Sequence, residues 1–102
     1  MKQYDIYWAN LPAPIGRRPV LLLTRSAAIA YLNKLIVAEV TSTIRSIPQE
    51  VGLGASEGLS APSVANLDNV HVVRKSLLGA WIGTLATPQH RDVKRTFGYT
   101  LD

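Results

Sequence analysis

The groups in this chain best suited to chemistry are a guanidinium and a hydroxyl, each beside an apolar run. Arg17-Arg18-Pro19 leads into Val20-Leu21-Leu22-Leu23. Proline pushes the residue before it into extended backbone, so Arg18 projects from the start of a strand. Thr41-Ser42-Thr43 closes a second run, Leu35-Ile36-Val37-Ala38-Glu39-Val40. Alternation sets Thr41 and Thr43 on one face and Ser42 on the other. If the two strands are antiparallel neighbours, Arg18 and Thr41 share one end of the sheet. Such a pair suits the cleavage of RNA, which carries its own nucleophile in the 2′-OH. Arginine matches phosphoryl oxygens with a fork of N–H donors, and a threonine hydroxyl adds a hydrogen bond to the developing charge. Losing one such donor typically costs about two to three orders of magnitude in rate, so a few suffice.

Each residue also has a purely structural reading. Arg17 and Arg18 serve as solvated charges at a turn, and Thr41 and Thr43 as β formers. Asp68 caps a turn, His71 packs in an apolar stretch, and Trp8 and Trp81 fill the core. Arg74-Lys75 and the Arg91, Lys94, Arg95 face solubilise. Taken singly, these readings win; the order along the chain shifts the balance.

The absences narrow the field. The two histidines, His71 and His90, lack metal-ligand spacing to another strong ligand, and cysteine is absent. There is no P-loop, no GxGxxG, no HExxH and no GxSxG elbow. The expectation is therefore no metal and no cofactor. The 102 residues fit a single domain, residues 1–102. A net charge of +4 and a pI near 9.8 suit a nucleic acid or an acidic protein as partner. No apolar run approaches the ~20 residues of a membrane span. Met1-Lys2-Gln3-Tyr4-Asp5 turns polar too soon for a signal peptide, and the cysteine-free composition fits the cytoplasm.

Frequent turn signals separate short apolar runs, the rhythm of a small barrel. Strands are expected over residues 4–10, 19–25, 34–43 and 50–53. Two more are expected over 63–67 and 69–73 around an Asp68-Asn69 bend, and a last one over 81–85. Residues 11–16 form a proline-rich loop, and 54–62 a mobile one. Ser26 is a candidate N-cap for a short helix over 26–33. Thr87-Pro88 opens a C-terminal helix that reaches Phe97 and stops at Gly98, with Val93 and Phe97 on one face. The sum is a mainly β fold, a small antiparallel barrel closed by a C-terminal helix.

In order, the chain carries Asp5-Ile6-Tyr7-Trp8-Ala9-Asn10-Leu11, Gly16-Arg17-Arg18-Pro19-Val20-Leu21-Leu22-Leu23 and Val37-Ala38-Glu39-Val40-Thr41-Ser42. Ser63-Val64-Ala65-Asn66-Leu67-Asp68-Asn69-Val70 and Ile82-Gly83-Thr84-Leu85 follow. This series, spanning Tyr4 to about Phe97, resembles the PemK/MazF family of toxin ribonucleases from bacterial toxin–antitoxin pairs. The resemblance implies an SH3-like barrel that forms a homodimer. It implies metal-independent, sequence-selective cleavage of single-stranded RNA, usually messenger RNA, and inhibition by an acidic antitoxin. The family's arginine before the proline falls on Arg18, for proton transfer and phosphate stabilisation. Its strand-end threonine falls on Thr41, for transition-state stabilisation. Arginine is a poor proton carrier at neutral pH, so its electrostatic part is the firmer one. Arg17, Ser42, Thr43, Asn66, Asp68 and His71 are the expected RNA-binding set. Asp68 falls where some members carry an acidic residue; Asn66 stands where some carry arginine, and His71 and Arg17 are candidates to compensate. The first loop, Leu11 to Arg17, is shorter than the family's usual one.

Two other functions fit the same fold. One is a non-catalytic RNA- or DNA-binding barrel. The other is a toxin that poisons DNA gyrase through its C-terminal helix, typically with a tryptophan near the end; the ending Phe97-Gly98-Tyr99-Thr100-Leu101-Asp102 has none.

Overall fold

The computed structural model describes the backbone of residues 1–101 and the side chains of residues 1–96. Six strands form one antiparallel sheet that curls into a half-barrel. They are β1 (Asp5–Leu11), β2 (Gly16–Leu22), β3 (Lys34–Thr41), β4 (Glu50–Leu53), β5 (Ser63–Arg74) and β6 (Leu78–Thr84), in the order β4-β5-β3-β2-β1-β6. Helix α1 (Ser26–Ile29) lies between β2 and β3, and α2 (Thr87–Leu101) follows β6.

The continuous apolar runs have a simple cause. Strands β2 and β3 lie inside the sheet and are buried on both faces over residues 20–22 and 37–40, while Ile36 is exposed. Leu21, Leu23, Ala38 and Val40 pack on one side with Val93 of α2. Val20, Leu22, Leu35 and Val37 pack on the other with Ile29 of α1. The second side continues along both strands past its apolar residues, to Arg18 on β2 and to Glu39 and Thr41 on β3.

Several boundaries differ from expectation. Strand β2 starts at Gly16 because residues 16–18 already pair with β1. Strand β3 stops at Thr41, leaving Ser42 and Thr43 outside it. The two strands expected around Asp68 are one, β5, which keeps its course through a bulge. The last strand begins at Leu78, not at residue 81. Ser26 is not an N-cap: Arg25 holds that position, and Ser26 Oγ accepts the Gln3 N–H at 2.9 Å. Thr87 is helical rather than a cap, and the Ala86 N–H is satisfied by Gln89 Oε1 at 3.2 Å. Helix α2 runs through Gly98 to Leu101. An interior glycine costs about 1 kcal/mol relative to alanine, which weakens a helix without ending it. Val93 is fully buried as expected, and the packing of Phe97 lies outside the described residues. Trp81 is 58% exposed and therefore not core.

The segment 54–62, expected to be mobile, is tied down. It contains a 3₁₀ turn, Ala55–Glu57, whose buried Glu57 carboxylate accepts the Gly54 N–H at 2.7 Å and the Ser56 hydroxyl. Gly58 has φ +90°, and a Cβ there would sit 2.4 Å from the Ile82 carbonyl oxygen. A Cβ on Gly83 would sit 1.9 Å from the Glu57 carbonyl oxygen. The loop therefore touches β6 backbone to backbone, a contact that only glycine permits.

Candidate active site

Strands β2 and β3 are antiparallel neighbours in which Val20 pairs with Glu39. Two residues outward on each strand come Arg18 and Thr41. Both line a cleft of about 150 Å³ with Glu39, Thr43, Arg45 and Asn66. Both also line an adjoining groove of about 520 Å³, whose far wall is Gly58, Leu59, Ser60 and Ala61 of the tied-down loop, with Trp8 and Ile82 nearby. The two hollows meet at Arg18, Thr41 and Thr43.

Glu39 organises the cleft. It is only 7% exposed, yet it carries a carboxylate into a face otherwise made of Leu35 and Val37. Its Oε1 lies 3.4 Å from Arg18 Nη1, a long contact, and its Oε2 lies 2.6 Å from His71 Nε2. A buried carboxylate needs such partners, because removing it from water costs several kcal/mol. The long contact leaves Arg18, whose side chain is 37% exposed, free to present donors to a ligand.

The bulge in β5 makes this convergence possible. Ala38 pairs with Val70, but the next residue, Glu39, pairs with Asn66. Leu67, Asp68 and Asn69 are left without partners on β3, and Leu67 turns into the core. A regular ladder would have set Asn69 opposite Glu39. The bulge instead brings buried Asn66 against Glu39, while His71, beyond the bulge, reaches the same carboxylate. Asn66 Oδ1 accepts the Asp68 N–H at 2.9 Å and so steadies the bend.

The remaining candidates separate. Thr43 lies on the cleft, and its N–H donates to Thr41 Oγ1 at 3.2 Å. Ser42 lines the larger groove. Arg17 points away, with its guanidinium 4.2 Å over the Trp8 ring in a cation–π contact. Asp68 is exposed in the bulge and lines neither hollow. His71 is part-buried behind Glu39. Sequence reasoning missed Glu39, Arg45 and Asn69. Glu39 had a signal, a carboxylate interrupting an otherwise apolar strand. Arg45 and Asn69 had none, since a loop and a bulge place them. Among the described residues, no three histidine, aspartate or glutamate side chains group as metal ligands.

Comparison with known proteins turns this geometry into an affiliation. The model of the PemK-like, MazF-like toxins of type II toxin–antitoxin systems matches residues 2–101. The chain belongs to the PemK/MazF toxin family. It is 39% identical over 99 residues to the probable endoribonuclease MazF5 of Mycobacterium tuberculosis, covering 96% of this chain and 90% of that one. It is 36% identical over 85 residues to the endoribonuclease MazF3 of Mycobacterium tuberculosis, covering 83% and 82%. The structure of the Mycobacterium tuberculosis toxin MazF-mt6 superposes with a TM-score of 0.91 at 35% identity, over 96% of each chain. The MazF half-barrel with its C-terminal helix is thus the fold seen here. No helix among the described residues is long and apolar enough to cross a membrane.

Proposed function

We propose that this PemK/MazF chain is an mRNA-cleaving toxin, an endoribonuclease that cuts single-stranded RNA by attack of the 2′-OH on the adjacent phosphorus. The supporting observation is that Arg18 and Thr41 line one solvent-reachable cleft beside a groove roomy enough for a nucleotide strand. The affiliation and the endoribonuclease relatives agree with it.

In this reading Arg18 neutralises the phosphorane and Thr41 hydrogen-bonds to it. Thr43, Asn66 and Ser42 contact the RNA along the cleft and groove. Arg17 and Asp68 contact it further out, and His71 acts from behind Glu39. RNA supplies the nucleophile and Arg18 the positive charge, so the reaction needs no metal. The partners are a second copy of the chain and an acidic antitoxin that covers the groove, and the compartment is the cytoplasm.

The test is incubation with a long single-stranded RNA in EDTA. Cleavage is expected at a short recurring motif, leaving a 2′,3′-cyclic phosphate and a 5′-OH. A folded protein that cuts no RNA of any sequence overturns the reading. Salt-sensitive binding without scission favours the non-catalytic barrel, and capture of gyrase subunits favours the gyrase toxin.

A further inference from the structure

We infer that Glu39 is the group that takes the proton from the attacking 2′-OH, and that His71 is the residue that positions it. The inference rests on the endoribonuclease reading and deepens it.

The reaction must move two protons, and the guanidinium of Arg18 is a poor carrier of either. Threonine hydroxyls are no better as bases near neutrality. Of the groups lining the cleft, Glu39 alone is a carboxylate. It lines the cleft together with Arg18, whose Nη1 lies 3.4 Å from its Oε1. A phosphate held by Arg18 therefore brings its neighbouring 2′-OH to the same carboxylate. Each carboxylate oxygen has two lone-pair sites, so Oε1 can accept a second hydrogen bond while keeping the first. The other oxygen is committed to His71 Nε2, at 2.6 Å. That bond fixes the rotation of the carboxylate as a second carboxylate or a carbonyl fixes a catalytic histidine.

The balance is complete. The 2′-O–P bond forms as the 2′-OH proton passes to Glu39. The P–O5′ bond breaks, and its electron pair leaves on the 5′-oxygen, which takes a proton from water. Glu39 then returns its proton to solvent. The charged and titratable groups bearing on Glu39 are the Arg18 guanidinium from β2 and the His71 imidazole from β5. Arg45, from the segment after β3, lines the same cleft.

The experiment measures kcat and KM against pH on a short RNA for wild type, Glu39→Gln and His71→Gln. Glu39→Gln keeps the shape and a hydrogen-bonding oxygen but accepts no proton. It is expected to lose about 100- to 10,000-fold in kcat with KM little changed, and to lose the acid limb of the wild-type profile. His71→Gln is expected to retain part of kcat with that limb displaced, which a merely structural residue would not do. Formate or acetate is expected to restore cleavage to Glu39→Ala in proportion to its concentration. If Glu39→Gln cuts within tenfold of wild type, or loses the same factor at every pH, the inference falls. Should Glu39→Gln fail to fold, an undisplaced limb in His71→Gln overturns it equally. Wild type that cuts no RNA removes the endoribonuclease reading itself, whereas wild type and Glu39→Gln cutting alike remove only this inference.

Discussion

At the scale of single residues, the cleft divides its work between charge and shape. Arg18 offers a fork of donors, so Arg18→Lys is not a conservative change. Arg18→Ala is expected to lower kcat by about 100- to 1,000-fold or more and to lower Tm as well, because it takes one of two partners from the buried Glu39 carboxylate. Arg18→Lys is expected to recover only part of that loss. Thr41→Val removes one hydroxyl from the cleft and is expected to lose activity on the same scale, read by the same assay. Arg18 and Thr41 were legible in the sequence because strand-end arginines before proline and strand-end threonines carry backbone signatures. Glu39 was legible only as an oddity. Its place in the cleft depends on Arg18 and His71 arriving from other strands, and no local pattern records that meeting.

At the scale of elements, two contacts bear on stability. The first is the contact between the 54–62 loop and β6, where glycine is the only residue that fits. Gly83→Ala is expected to destabilise at the upper end of about 1–3 kcal/mol, since the atom it meets is backbone and cannot swing aside. A thermal melt would show this as a drop of roughly 4–8 °C per kcal/mol. The second lies on β1. Burial, together with the nearby Asp5 carboxylate, pushes the Tyr7 phenol above its ordinary 10.0. A raised phenol pKa favours the folded state below the unfolded value and loses that contribution as pH climbs from it toward the folded one. Stability is therefore expected to fall above about pH 10, and Tyr7→Phe is expected to flatten the fall in melts at stepped pH. The strands and the C-terminal helix were readable from β-forming runs and turn residues, though seven strand segments were expected where six form. Their ends were not, because pairing with a neighbour decides them: β2 reaches back to Gly16 along β1, and β5 survives Asp68-Asn69 by bulging. Gly58 reads in the sequence as part of a mobile segment and Gly83 as a residue of the last strand, and only their tertiary neighbours reveal a rivet.

At the scale of the whole molecule, charge and assembly come to the fore. The +4 charge is expected to make RNA affinity fall with salt, with a slope of roughly 0.7 per phosphate contact. Arg45→Ala, which removes a charge from the cleft, is expected to reduce that slope by about this amount. Filter binding across a salt series measures it. A homodimer of the 11.1 kDa chain is expected by light scattering. The exposure of apolar residues such as Val72 was not readable from sequence, because it shows only once the sheet has taken its curl.

The riveted loop has a consequence for whatever enters beside it. A wall fixed to its strand by two main chains in contact does not yield to an incoming strand. An RNA strand lying in that groove is then expected to do the adapting, with each base step contributing its own cost of unstacking and turning. Selectivity among RNA motifs is expected to come partly from the pliancy of the nucleic acid, even at bases no side chain reads.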